Sequence, residues 1–314
     1  KYWIKPSVKY LSNYLSKNNI DIIITTGPPH SLHLIGLALK QQLSIKWIAD
    51  FRDPWTDIDY FYQLPLTKSS LKKHHQLEKQ VVSSADSVLV VGKMIKDNYL
   101  KFNSNIHIIT NGFDTISEEH DVTLDTDFSI IHIGMMNADR NPKKLWKVIS
   151  KLVIENKQLA KDIKVKLVGK IANEVKKSIQ QHGLVNFVET IAYLPHDEVV
   201  EFQKKAQVLL LAVNNVPSAK GIITGKIFEY LQAKRPILAI APLDGDLADI
   251  ITKTKAGTVI DFNDEILLKN TILELYNDFK NGTLNVSSQH IDQYHRKNLT
   301  KQLTEIIKSI VITA

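Results

Sequence analysis

Thr224, Gly225 and Lys226, with Glu229 three residues after the lysine, open an apolar run in the stretch GIITGKIFEYLQAKRPILAIAP, residues 221–242. A helix start leaves backbone N–H groups unpaired. A threonine N-cap, a glycine that permits close approach and a lysine in the first turn therefore make an anion site there. A diphosphate suits such a site. Glu229, one turn further on, accepts hydrogen bonds from both oxygens when ionised, which matches the two adjacent hydroxyls of a ribose. The same residues also read as an ordinary capped helix, with Lys226 solvated and Glu229 favouring the helix dipole. Both readings stay open on this stretch alone. A phosphate-binding P-loop is excluded, because only three residues separate Gly221 from Gly225 and Ile227 follows the lysine. No Gly-x-Gly pair occurs, which removes the dinucleotide fingerprint.

Other candidates follow β-rich runs. Arg140, Lys143 and Lys144 come after a run ending at Gly134, where they can face phosphates or form a solvated helix start. Gly169, in VGK, either lets backbone approach a nucleotide or makes a plain turn. In the first half, His30 follows two prolines at a helix entrance, and DFRDPW places Asp50, Arg52 and Asp53 at a strand end. That cluster suits acceptor binding or proton transfer, or else a turn locked by Arg52 on Asp50 or Asp53. His30 and His33 lack the third ligand of a metal site, so no metal is assigned, and the pair His74–His75 is expected at the surface.

These residues are positioned by alternating elements. Short β-branched runs recur at 21–26, 45–50, 87–92, 107–110, 129–134, 164–169, 207–213 and 236–241, separated by amphipathic stretches such as 31–42 and 141–157. Continuous apolar strands alternating with helices predict an α/β fold with parallel sheets covered on both faces. In such sheets ligands bind beyond the carboxyl ends of the strands, where most of the candidates lie. The alternation breaks in an acidic, turn-rich segment, so a boundary is expected near residue 120. The final stretch, 287–312, is helical in pattern with no strand after it.

The chain has 314 residues, of which 44% are hydrophobic and 23% charged, enough for two folded domains. It has no cysteine, which suits a reducing compartment and makes the cytoplasm the default. Its net charge is +7, but the lysines are spread along the chain. An anionic ligand or an anionic lipid surface is therefore expected, and no nucleic acid.

The segment TGKIFEYLQAKRPILAIAP resembles the donor-site helix of retaining glycosyltransferases of family four, of the GT-B fold and the bacterial surface-polysaccharide type. In the same order, 25–55 is similar to the middle of that family's N-terminal domain, ITNGFD to the strand leading to its interdomain linker, and HIGMMNADRNPKKL to the first loop of its nucleotide-binding domain. The resemblance implies two Rossmann-like domains facing a cleft: 1–120 on the acceptor side, 121–286 holding the nucleotide sugar, and 287–314 crossing back to the first domain. It implies a hexosyl group moved with retention from a nucleoside diphosphate sugar to a saccharide or lipid-linked saccharide, with no cofactor required. Arg140 and Lys226 would neutralise the diphosphate, Glu229 would hold the ribose, and AYLPHDEV, through Tyr193 and Leu194, would frame the base. Peripheral contact with the inner membrane face follows from charge and family. The family commonly carries a glutamate eight positions before Glu229, where this chain has Gly221. The family's N-terminal domain also has further strands before the one at 21–26, so the domain is expected to be incomplete at its start. Two alternatives are a non-hydrolysing nucleotide-sugar epimerase and an inactive nucleotide-sugar-binding partner protein.

Overall fold

The computed structural model describes residues 2–114 and 122–312. The chain divides into two compact units, residues 1–111 with 296–314, and residues 112–295. The boundary expected at residue 120 lies outside the described residues.

The first unit runs α1 (Ile4–Leu15), β1 (Ile22–Gly27), α2 (Ser31–Leu43), β2 (Lys46–Phe51), α3 (Lys68–Ser84), β3 (Ser87–Val90), α4 (Lys93–Tyr99) and β4 (Ile106–Ile108). Its four strands are parallel, in the order β1-β2-β3-β4. Successive side chains leave a strand on opposite faces. Trp47, Ala49 and Phe51 thus join Val88 and Val90 in one buried layer with Val81 and Val82 of α3. Ile48 and Leu89 point the other way, onto the chain's last helix.

The second unit contains β5 (Phe128–Ile133), α5 (Lys143–Glu155), α6 (Lys157–Asp162), β6 (Ile163–Val168), α7 (Asn173–Gln181), β7 (Val188–Ile191), α8 (His196–Lys205), β8 (Val208–Ala212), α9 (Lys226–Ala233), β9 (Ile237–Ile240), α10 (Asp246–Thr254), β10 (Gly257–Ile260) and α11 (Glu265–Lys280). All six strands are parallel, in the order β10-β9-β8-β5-β6-β7. The winding direction reverses between β5 and β8, and the crevice beyond their carboxyl ends is where a doubly wound sheet takes its ligand. Ile130, Leu167 and Leu210 pack beneath α5, whose Leu145, Ile149 and Leu152 recur at helical spacing. Ile131, Ile133 and Leu211 face α9 and α10 on the other side.

The last helix, α12 (Arg296–Ile312), belongs to the first unit and sets Leu299 and Ile310 against Ile48, Leu89 and Ile109. The helical pattern expected from 287 therefore begins later. Ile291–Tyr294 form a 3-10 turn, with Tyr294 buried against Phe228 at 5.4 Å between ring centroids. Two strands had no apolar run to announce them. Both β7 and β10 are sheet edges, half exposed, and so read as mixed sequence.

Candidate functional site

In the second unit the site is built from the carboxyl end of β5 and the start of α9. Gly134, the residue after β5, has φ +102, and a Cβ placed on it would lie 2.6 Å from Cε and 2.9 Å from Nζ of Lys226. The lysine side chain thus lies across this glycine. Gly169, after β6, has φ +112 and packs against the Gly134 backbone, where a Cβ would come within 3.1 Å of the Gly134 carbonyl. The two glycines let the strand ends approach each other, and Gly134 N–H donates to Val168 O at 2.7 Å. Tyr230 fixes α9 to this edge, its hydroxyl oxygen accepting from the Ile133 N–H at 3.1 Å.

Lys226 is the first residue of α9, and its Nζ lies 3.5 Å from Nε2 of His132, a fully buried histidine on β5. His132 Nδ1 lies 3.1 Å from the carbonyl oxygen of Leu210, which can only accept, so Nδ1 carries the proton and the Nε2 lone pair faces the lysine. Burial, reinforced by the Lys226 charge, pushes the His132 pKa down to about 3. Burial, and then the charge of Arg140, brings Lys226 down to about 7, with Glu229 acting against them. A lysine poised there gains its full charge when an anion arrives.

Arg140 is carried by the loop between β5 and α5. Its backbone N–H donates to Asn137 Oδ1 at 2.9 Å and its Nη1 to Met135 O at 3.0 Å. The loop is pinned by Asn215 N–H on Asp139 O at 2.8 Å and by Trp146 Nε1 on Asn141 Oδ1 at 2.7 Å. Lys143 is exposed, and Lys144 donates to Glu265 at 2.7 Å, so Lys144 is engaged away from the phosphate role considered for it.

Glu229, one turn into α9, is half buried and accepts at Oε2 from Nε2 of Gln203, 2.8 Å away. Gln203 is only 2% exposed on α8, so it fixes the carboxylate. Gly225, the residue before α9, already has helical backbone angles, so the helical conformation reaches back to it. Thr224 Oγ1 accepts from Lys226 N–H at 3.3 Å, the hydrogen bond that a capping threonine makes. A side chain at Gly225 would meet nothing within 4 Å, so open space lies beside the helix start. Tyr193 is 86% exposed, while Leu194 packs against the apolar layer shared with α9.

The first unit has its own cluster at the carboxyl edge of β1 and β2. His30 stacks on Trp55 at 5.3 Å, and a Cβ on Gly27 would lie 2.8 Å from His30 Nδ1 and 2.7 Å from His33 Nε2. Burial pushes the His30 pKa down to about 4 and the His33 pKa to about 3. Asp50 accepts from Thr26 Oγ1 at 3.2 Å, and burial raises its pKa. Arg52 does lock a turn, but chiefly by donating to Ile109 O at 3.2 Å and to Asn111, with Asp50 3.7 Å away. Asp53 remains exposed beside them. Of the pair expected at the surface, His75 is exposed, but His74 is half buried, its Nδ1 accepting from Trp55 Nε1 at 3.1 Å and its ring packing edge to face with Phe61.

His132 and Gln203 escaped the sequence reading. Only His132 left a trace, as a lone imidazole in the apolar run SIIHIG. Gly134 yields a first expectation. Gly134→Ala forces a side chain into φ +102 and against Lys226, and should cost about 1–3 kcal/mol. Displacing the lysine should also weaken anion binding, and thermal melts with and without a diphosphate read both effects.

The sequence model described as Glycosyl transferases group 1 matches residues 115–297, and that described as Glycosyltransferase Family 4 matches residues 1–116. No curated protein matches the chain. Among solved structures, the chain is similar to a sucrose-phosphate synthase from Thermosynechococcus elongatus, with TM-score 0.68 and 14% identity over 98% of this chain and 78% of that one. It is similar to a TarM variant from S. aureus solved with fondaparinux, alpha-GlcNAc-glycerol and UDP, with TM-score 0.65 and 16% identity over 97% of this chain and 58% of that one. A putative UDP-N-acetylglucosamine 2-epimerase from Listeria monocytogenes shares the fold too, with TM-score 0.59 and 12% identity over 99% of this chain and 80% of that one.

Proposed function

The chain belongs to the glycosyl transferases group 1 family, and from that premise we propose that it moves a hexosyl group, with retention, from a nucleoside diphosphate sugar to a saccharide or lipid-linked saccharide acceptor. The observation that carries this reading is the convergence of Lys226 and Arg140 beside Gly134, with Glu229 one helical turn away. As the glycosidic bond to the diphosphate breaks, negative charge grows on the leaving oxygen. Two cations already held in place stabilise that charge without having to reorganise.

In this scheme Glu229, oriented by Gln203, accepts from the ribose hydroxyls. The backbone at Gly134, Gly169, Thr224 and Gly225 approaches the phosphates, and Tyr193 and Leu194 border the base. His30 and Asp53 of the first unit serve the acceptor. His30, with its pKa held near 4, is neutral at physiological pH, which suits it to hydrogen-bond an acceptor hydroxyl rather than to act as a strong base. Because side-chain cations offset the charge, the scheme needs no divalent ion, and turnover should survive chelator treatment. Retention and a role in bacterial surface-polysaccharide synthesis rest on the resemblance of the α9 segment. Cytoplasmic action with peripheral contact at the inner leaflet rests on the +7 charge and on the absence, among the described residues, of a helix long and apolar enough to cross a membrane.

The test is a thermal-shift panel of UDP, GDP, ADP, dTDP and CMP on the protein and on Glu229→Ala. A ligand at about 100 times its Kd adds about 2.7 kcal/mol, a shift of several degrees. One diphosphate should stabilise the protein and lose its effect in the variant. If none does, the anion-site reading of α9 fails. Product analysis without acceptor then separates transfer from epimerisation, since only an epimerase alters the donor sugar alone.

A further inference from the structure

We propose that the groove between α3 and the end of α4, in the first unit, binds an anionic saccharide chain, one bearing carboxylate or phosphate groups along its length. The groove encloses about 600 Å³. Lys68, Leu71, Lys72, His75, Gln76 and Lys79 line one wall. Their spacing of three and four residues puts them on a single face of α3, over about 16 Å of helix. Lys101 and Phe102 stand opposite.

The charges in this groove are unbalanced. Lys68, Lys72, Lys79 and Lys101 are exposed, and among the described residues none of them forms an ion pair. Two of the ammonium groups converge on one ring, Lys79 Nζ at 5.6 Å and Lys101 Nζ at 5.0 Å from the Phe102 centroid. The two carboxylates present do not answer them. Glu78 lies buried below, saturated by the Thr56 N–H at 3.2 Å, the Thr56 hydroxyl at 2.5 Å and the Tyr99 hydroxyl at 2.6 Å. Asp57 sits at the lip and accepts from Asn98 Nδ2 at 3.2 Å. A groove of like charges with an aromatic ring among them attracts an extended anion that also offers a flat sugar face.

Its position gives the groove a purpose. Thr56 lines it, and the preceding residue, Trp55, stacks on His30. A chain lying along α3 would therefore present one end to the His30 and Asp53 cluster. A bilayer, by contrast, meets a convex face with protruding apolar groups, and this wall offers one exposed leucine, Leu71. The assignment rests on the first unit being the acceptor side, and it narrows the acceptor to anionic glycans.

The test uses Lys72→Glu/Lys79→Glu, two exposed positions, in the full chain. The probes are an oligogalacturonate, a phosphorylated oligosaccharide, neutral dextran and phosphatidylglycerol vesicles, with binding followed by titration at two salt concentrations. Wild type should bind one or both anionic oligosaccharides and not dextran, more weakly at high salt, and the variant should lose about tenfold or more. Equal binding by variant and wild type, no binding of either anionic oligosaccharide, or binding of vesicles alone overturns the proposal. The diphosphate-induced thermal shift is read on the same samples. If it persists while the groove fails, the donor reading stands without this one. If it is absent while the oligosaccharides bind, the donor reading fails and the groove remains.

Discussion

Lys226→Met should abolish nucleoside diphosphate binding and, in the same protein, raise the melting temperature of the unliganded form. The two effects share one cause. The Lys226 ammonium is held against Gly134 beside a neutral His132, and burial, then the charge of Arg140, depresses its pKa to about 7. In the empty site that arrangement opposes folding, because burying a cation next to another cation is unfavourable. Methionine fills similar volume without the charge, and relief of about 1 kcal/mol moves Tm by about 2–4 °C for a unit of this size. The donor diphosphate, however, loses its cation at the departing oxygen, so turnover at a fixed donor concentration should fall by at least about 10² to 10³. A variant that still shifts with diphosphate, or one that melts lower, contradicts this account.

The same geometry fixes a pH dependence. An arriving diphosphate offsets the repulsion from Arg140 and raises the pKa of Lys226 above 7, so binding takes up a proton. Affinity should therefore be full below pH 7 and fall by up to about tenfold per pH unit above it, until the pKa of the complex is reached. Lys226→Arg stays charged throughout and should flatten that slope even if it binds more weakly. Titration calorimetry in buffers of different ionisation enthalpy counts the proton directly.

The layers and the strand ends were legible because central parallel strands are buried on both faces and write themselves as apolar runs, as SIIHIG and QVLLLAV do. The edges β7 and β10 are half exposed and left no such run. Near the site, Gly134, Lys226 and Glu229 stood out by residue type and position in the sequence. The pairing of Gln203 with Glu229 spans 26 residues and two helices, and only folding brings them to 2.8 Å. His74 misled for a related reason. In a lysine-rich helix it reads as solvated, yet the indole of Trp55, nineteen residues earlier, donates to it. The cap of α9 was legible locally, since Thr224 Oγ1 accepts from the Lys226 N–H as its residue type suggested.

Acid should unfold this protein early, from pH values at which most carboxylates are still ionised. His30, His33 and His132 have pKa values near 4, 3 and 3, each lowered chiefly by burial, against 6.5 in an unfolded chain. The native state keeps them neutral while the unfolded state protonates them. Their stabilising contribution is complete above pH 6.5 and is lost as the pH falls toward the folded values. In that window each histidine draws one extra proton on unfolding, worth at most about 1.4 kcal/mol per pH unit, so the pair in the first unit draws about twice as much. Urea midpoints should thus drop between about pH 6 and about pH 5, opposed in the first unit by Asp50 and Asp53, whose pKa values burial raises, so the second unit should show the histidine slope more fully. His33→Gln keeps a polar partner for Thr25, whose hydroxyl lies 2.8 Å from His33 Nδ1, and should reduce the slope of the first unit by one proton. His132→Asn should do the same for the second unit while leaving the first unchanged. A pH slope that neither variant alters would mean that these imidazoles titrate in the folded protein, and that the buried neutral state assigned to them is wrong.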